Sequence, residues 1–146
     1  MDPRRETAGL LDSLVQGLYG PRLEGAEALW ASDSCPFVSR GSTCIRWDGQ
    51  VSPCLPLLHA HTSYLETRRR TVAAHTFGSI HEYGLLEIWN SPEYVALRAR
   101  LEEFDFSPCT ACNSCEKADN NHEDCFGNGM PTCGGCLWAQ GFIQCP

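Results

Sequence analysis

Hydrophobic and polar positions change rhythm several times along this chain. Over residues 7–30 apolar side chains recur at helical spacing, with Leu10, Leu11, Leu14, Val15 and Leu18 in one stripe. "GLYGPRLEG" then interrupts with Gly and Pro, so the segment reads as two short helices, or a helix and a linker. Residues 43–53, "TCIRWDGQVSP", predict a β-hairpin. Ile45, Trp47 and Val51 are strand formers on either side of Asp48-Gly49, a two-residue turn signal in which Gly accepts a positive φ. Residues 55–83 show no sustained period; "VAAHTFGSI" has some strand character and Gly78 suggests a turn. Residues 84–104 form the clearest helical region. Leu85, Leu86 and Trp89 make one short apolar turn. Ser91-Pro92-Glu93 is a helix start, with Ser as N-cap, Pro at the first helical position and acid near the positive end. Tyr94, Leu97, Leu101 and Phe104 then share a face, which is read as core packing.

After Pro108 the texture changes. Asn, Asp and Gly separate closely spaced cysteines, and no regular element is predicted beyond short turns. The predicted fold is therefore a small, irregular α+β domain: a β-hairpin plus helices, with a metal-organised, cysteine-rich C-terminal region. Without metal that region is expected to be disordered.

Composition sharpens this picture. The chain has 146 residues with 13 Gly, 9 Pro and 10 Cys. A length of this order suits one domain, and turns this frequent call for covalent or metal staples. The net charge is −7, which argues against nucleic acid, whose binding depends on Lys and Arg neutralising phosphates. The one basic run, Arg68-Arg69-Arg70, is read as a solvated face or local ion-pair partner; the alternative is a docking patch for an acidic partner. No segment approaches the ~20 apolar residues of a membrane helix. "MDPRRETAGL" lacks the apolar core and cleavage site of a secretory signal. A cytoplasmic location follows, with thiols kept reduced and better suited to metal than to disulfides.

The thiols fall in three groups. Cys35, Cys44 and Cys54 surround the hairpin, which would hold Cys44 and Cys54 near each other at its open end. Cys109, Cys112, Cys115 and Cys125 follow the long helix, and Cys133, Cys136 and Cys145 lie nearest the end. Cys-x-x-Cys loops aim two sulfurs at one metal or cluster. Zinc takes four ligands in a tetrahedron, and a [4Fe–4S] cluster also takes four Cys, so spacing alone leaves two zincs and two clusters equally open. Trp47, Phe106, Phe126 and Trp138 pad the cysteines, which leans slightly toward clusters. His59, His61, His75 and His81 are read as surface or hydrogen-bonded residues, because enough cysteines exist without them. A spare thiol, Cys115 or Cys125, beside His122 would be the elements of an independent nucleophilic enzyme; metal ligation or an inert thiol is the preferred reading of both.

The spacing resembles the SPASM domain, the auxiliary-cluster module at the C-terminal end of radical SAM peptide and protein maturases. Cys35, thirteen residues, Gly49, four residues and Cys54 match that family's opening. "IRWDGQVSPC" looks like its hairpin and "FGSIHEYGLLEIWNSPEYVALR" like its linking segment. The ending "DCFGNGMPTCGGCLWAQGFIQCP" looks most like maturases associated with tungsten-containing aldehyde ferredoxin oxidoreductases. The resemblance implies that residues 1–34 are a helical linker or remnant of an upstream domain, and that 35–146 form a SPASM-like auxiliary cluster domain. It also implies two [4Fe–4S] clusters held by the ten cysteines, with zinc as the alternative. The implied role is electron transfer and docking of a substrate protein, in company with a radical SAM catalytic domain or chain. A tungsten-containing oxidoreductase is the candidate substrate protein.

Two departures qualify this. The family's third cysteine of the second half would fall at Ala118. One alignment therefore assigns Cys35, Cys44, Cys54 and Cys136 to cluster I and Cys109, Cys112, Cys133 and Cys145 to cluster II, leaving Cys115 and Cys125 spare. Another groups Cys109, Cys112 and Cys115 and hands Cys125 or Cys133 to cluster I. The Cys-x-x-x-Cys-x-x-Cys motif that holds the S-adenosylmethionine-cleaving cluster does not occur, nor is there room for its barrel before Cys35. S-adenosylmethionine is thus not expected to bind this chain alone, no independent catalysis is expected, and the chain reads as a detached module.

Overall fold

A computed structural model describes residues 34–112 and 115–143. The predicted helical stripe over 7–30, the 1–34 segment up to Ser34, and Cys145 lie outside the described residues. Among the described residues no helix is long and apolar enough to cross a membrane.

The described chain opens with a single helical turn, α1 (Pro36–Ser39), entered through Cys35. The predicted hairpin follows as β1 (Cys44–Ile45) paired antiparallel with β2 (Val51–Ser52), with Cys44 opposite Ser52. Its turn differs from the expected two-residue form. The Gly49 N–H donates to the Arg46 carbonyl at 2.9 Å and the Arg46 N–H to the Gln50 carbonyl at 2.8 Å. The loop thus holds Trp47, Asp48 and Gly49, and Gly49 at φ +83° closes it in the left-handed region. Trp47 consequently sits at the tip, 89% exposed, rather than in a strand. The Asp48 carboxylate pins this turn to the Arg46 guanidinium at 2.5 and 2.7 Å. Residues 77–80 run beside the hairpin: Phe77 N–H donates to Val51 O, Val51 N–H to Gly78 O, and Ile80 N–H to Gly49 O. This pairing accounts for the strand character of "VAAHTFGSI".

A second hairpin, not foreseen in the pattern of residues 55–83, joins β3 (His61–Leu65) to β4 (Arg68–Val72) in a separate antiparallel sheet. Its two-residue turn carries Glu66 at φ +54°, where glycine or asparagine is the usual choice. A 3₁₀ turn, Leu55–Leu57, links the two hairpins.

The helical region divides as expected into α2 (Leu85–Trp89) and α3 (Pro92–Glu103). Ser91 caps α3, its hydroxyl accepting from Tyr94 N–H at 3.4 Å, and Pro92 takes the first position. Phe104 at φ +49° ends the helix in a left-handed cap. Tyr94, Leu97, Leu101 and Phe104 are all buried, as their spacing predicts. In α2 the inward residue is Ile88, and Leu86 is exposed. Two apolar clusters result. Val51, Ile88 and Tyr94 pack with Phe77, whose ring stacks on Tyr94 at 4.3 Å. Leu97, Leu101, Phe104, Phe106 and Ala139 pack with Cys35 and Cys133. The second cluster carries two sulfurs into the core of the fold.

Candidate metal centre

Cysteines reach the core because local chain signals deliver them there. Cys35 precedes a Pro-initiated turn and Cys54 precedes the Leu55–Leu57 turn; both are buried. Cys133 lies in the Leu97–Phe104–Phe106 cluster, with Cys136 packed against it. These four thiols are electrostatic neighbours. Burial pushes the Cys54 thiol well up, and the charges of Cys133, Cys136 and Cys35 add to it. Burial likewise raises Cys133, with Cys136 and Cys35 adding and Arg100 and Arg70 opposing. Burial raises Cys136, backbone N–H groups of Ala139 and Trp138 oppose it, and Cys35 adds again. Thiols in this condition are protonated at neutral pH, and a bound cation must displace the protons. Cys44, half-buried in β1 opposite Ser52, is two residues in register from Cys54, and burial chiefly raises the nearby Tyr94 hydroxyl.

The Cys133–Cys136 loop owes its two glycines to space. A Cβ on Gly134 would overlap the Ser107 carbonyl, and one on Gly135 would overlap the Arg70 guanidinium. Ser107 O accepts from Cys109 N–H at 2.7 Å, so Gly134 sets the Cys133–Cys136 loop directly on the Cys109 loop. Ser107 Oγ lies 3.0 Å from Cys109 Sγ. Cys109 is buried, whereas Cys112 and Cys125 are exposed and Cys115 half-buried. None of the nine described cysteines is in a disulfide.

Sequence reasoning missed the polar framework that holds this region. Asp124, 1% exposed, accepts from Ser107, Phe126 and Asn128 N–H and from Asn128 Nδ2 at 2.9–3.1 Å. Burial pushes its carboxyl up, but these four donors outweigh it and hold the group below its ordinary value. Asn121, also buried, pairs with the backbone of Ala73 through both amide atoms, at 2.8 and 3.0 Å. Arg68 reaches Asp119 and the Cys115 carbonyl, and Arg100 reaches the carbonyls of Gly129 and Pro131. The basic run of β4 is thus partly inward: Arg68 is an ion-pair partner, Arg69 is exposed and Arg70 is buried. Of the four padding aromatics, Phe106 is buried and Trp138 half-buried, while Trp47 and Phe126 are exposed. His59, His81 and His122 are exposed, and His75 packs edge-on against Phe77. Among the described residues no hydrogen bond joins His122 to Cys115 or Cys125.

A donor set of thiols alone suits soft, thiophilic iron or zinc. Tetrahedral zinc, with Zn–S near 2.3 Å, needs its sulfurs roughly 3.8 Å apart. Among the described residues no three His, Cys, Asp or Glu side chains are grouped to hold a single metal ion. Thiolate ligation of this kind serves zinc and iron–sulfur clusters alike.

Residues 35–116, more than half the chain, match the model of SPASM, an iron–sulfur cluster-binding domain. The chain belongs to the SPASM family. The match includes six of the cysteines and stops before Cys125, Cys133, Cys136 and Cys145. As a SPASM domain it is an iron–sulfur-binding module. It is also similar to the tungsten-containing aldehyde ferredoxin oxidoreductase cofactor-modifying protein of Pyrococcus furiosus, with 34% identity over 115 residues. That alignment covers 77% of this chain and 32% of the relative, so the SPASM chain spans about a third of the length of the curated relative it matches. No solved structure matches.

Proposed function

We propose that this SPASM domain holds two [4Fe–4S] clusters and serves as the auxiliary module of a radical SAM maturase. The ten cysteines Cys35, Cys44, Cys54, Cys109, Cys112, Cys115, Cys125, Cys133, Cys136 and Cys145 are the pool from which its ligands come. The observation that carries this reading is the convergence of Cys35, Cys54, Cys133 and Cys136 in the core of the fold, where burial pushes up the thiols of Cys54, Cys133 and Cys136. When bound, the clusters would supply one-electron storage at a potential tuned by burial and hydrogen bonding. The chain's own contribution is to bring distant thiols together, exclude water with Leu97, Phe104 and Phe106, and set the surrounding charge. The similarity to the Pyrococcus protein supports a maturase whose substrate protein is a tungsten-containing oxidoreductase, with this module docking that protein and passing electrons.

The test is anaerobic reconstitution with iron and sulfide. About eight irons per chain are expected for two four-iron clusters. Cys35→Ser, Cys54→Ser and Cys136→Ser should each lower iron by about half of that. A colourless protein carrying stoichiometric zinc would overturn the reading.

A further inference from the structure

Arg70 lies in mid-β4 and is 7% exposed. Its Nη1 donates to the Ala118 carbonyl at 2.7 Å, and its guanidinium fills the space that glycine at 135 leaves open. Two cavities meet at this side chain. One is walled by Cys54, Cys133 and Cys136, the other by Cys109 and Ala118; Arg70, Gly135 and Leu137 belong to both. Burial works against the charge on this guanidinium and pulls its pKa down, while Cys109, Cys136 and Cys133 lie near enough for negative charge on them to oppose that.

Among the described residues no carboxylate forms an ion pair with Arg70. The ion pairs among the described residues are Arg46–Asp48, Arg68–Asp119 and Lys117–Glu123. Burying a guanidinium without an anion is strongly unfavourable. The titratable groups that line the two cavities with it are Cys54, Cys109, Cys133, Cys136, His61 and Arg68; only the thiols among them can become anions, and they do so when a metal displaces their protons. An iron–sulfur core ligated by four thiolates is a net anion, and more so when reduced. Arg100, the other guanidinium near Cys133, differs, since both its Nη atoms are committed to backbone carbonyls.

We propose that Arg70 is the shared counter-ion of two neighbouring cluster sites, the one walled by Cys54, Cys133 and Cys136 and the one at Cys109. The proposal rests on the iron–sulfur reading and extends it to a residue outside the cysteine set. Arg70 is a tuning residue: its fixed positive charge, held in place by the Ala118 carbonyl, favours the reduced, more anionic state of the adjacent cluster. Reduction potential follows net charge and hydrogen bonds to sulfur, so removing this cation lowers the potential.

The experiment compares Arg70→Gln and Arg70→Lys with the unaltered protein. All are reconstituted anaerobically, assayed for iron, and titrated with dithionite at fixed potentials while the reduced clusters are followed by electron paramagnetic resonance. Arg70→Gln should shift the reduction equilibrium of at least one cluster at least tenfold toward the oxidised state, about 59 mV for a one-electron couple. Arg70→Lys, which keeps the charge, should stay within about threefold of the unaltered protein, about 28 mV on the same scale. Loss of iron in Arg70→Gln with iron and potential retained in Arg70→Lys also supports the counter-ion role. Unchanged potentials in both variants overturn it. So does equal loss of iron from both, since shape rather than charge would then be what the site requires. An unaltered protein that takes up no iron refutes the function proposed above, a result distinct from any of these.

Discussion

Asp124 offers the sharpest test of how the cysteine-rich region is held. Its two oxygens serve four donors: Oδ1 takes Phe126 N–H and Asn128 N–H, and Oδ2 takes Ser107 N–H and Asn128 Nδ2. Asp124→Asn keeps the shape but turns one oxygen into a donor. The amide should place its NH₂ at the Oδ2 side, because Asn128 Nδ2 already donates to Asp105 O at 2.7 Å and can turn away. That choice orphans the Ser107 N–H in a residue that is 2% exposed. An orphaned buried donor costs about 1–3 kcal/mol, and exchanging an ionised acceptor for a neutral one weakens the remaining bonds by about 1 kcal/mol. The expected total is about 3 kcal/mol, a large part of the ~5–15 kcal/mol that holds a domain together. For a domain of this size the thermal midpoint of the reconstituted protein should fall by roughly 10 °C. The pH dependence has a definite sign. The folded carboxyl sits below its ordinary value, so its stabilisation is complete above the unfolded value near 3.9 and fades as pH falls through the lower folded value. Asp124→Asn should lack that acid slope. A midpoint within 2 °C of the unaltered protein, with the Ser107 amide still protected from hydrogen exchange, would refute the reasoning.

Other substitutions test separate links. Asn121→Ala should leave both backbone groups of Ala73 unpaired and cost about 2–4 kcal/mol in urea denaturation of the reconstituted protein. Gly134→Ala and Gly135→Ala should differ: the first meets the Ser107 backbone, which cannot move, and should cost more than about 3 kcal/mol. The second meets a side chain that can shift, and should cost nearer 1–2 kcal/mol; equal melting points for the pair would contradict this. Ser91→Ala should remove the α3 cap for about 1 kcal/mol, read as a small drop in thermal midpoint with iron content unchanged.

Elements defined by their own local chemistry were legible in the sequence. The Ser91-Pro92 start, the Tyr94–Phe104 stripe and the first hairpin each combine a boundary signal with the right period, and each is present. The cysteine groups were equally plain, as thiols at such short spacings point to metal or cluster ligation. What stayed hidden depends on pairings far apart in the chain. The β3–β4 hairpin turns through Glu66-Thr67 without Gly, Asn or Asp, and its strands mix charged and apolar residues, so neither its turn nor its period announces it.

Asn121 and Asp124 look like ordinary loop residues because their types favour turns; only their pairing with Ala73 and Ser107 makes them framework. Arg70 is the extreme case. Within "RRR" it is indistinguishable from Arg69, which is exposed, yet strand alternation sends the two to opposite faces. Had β4 been recognised, its period of two would have shown that one arginine of an inward-facing pair must enter a region richer in thiols than in carboxylates. A buried guanidinium there constrains chemistry as much as the cysteines do. It stabilises whatever negative charge the site acquires, and so links the folding of the C-terminal loops to the anion they enclose.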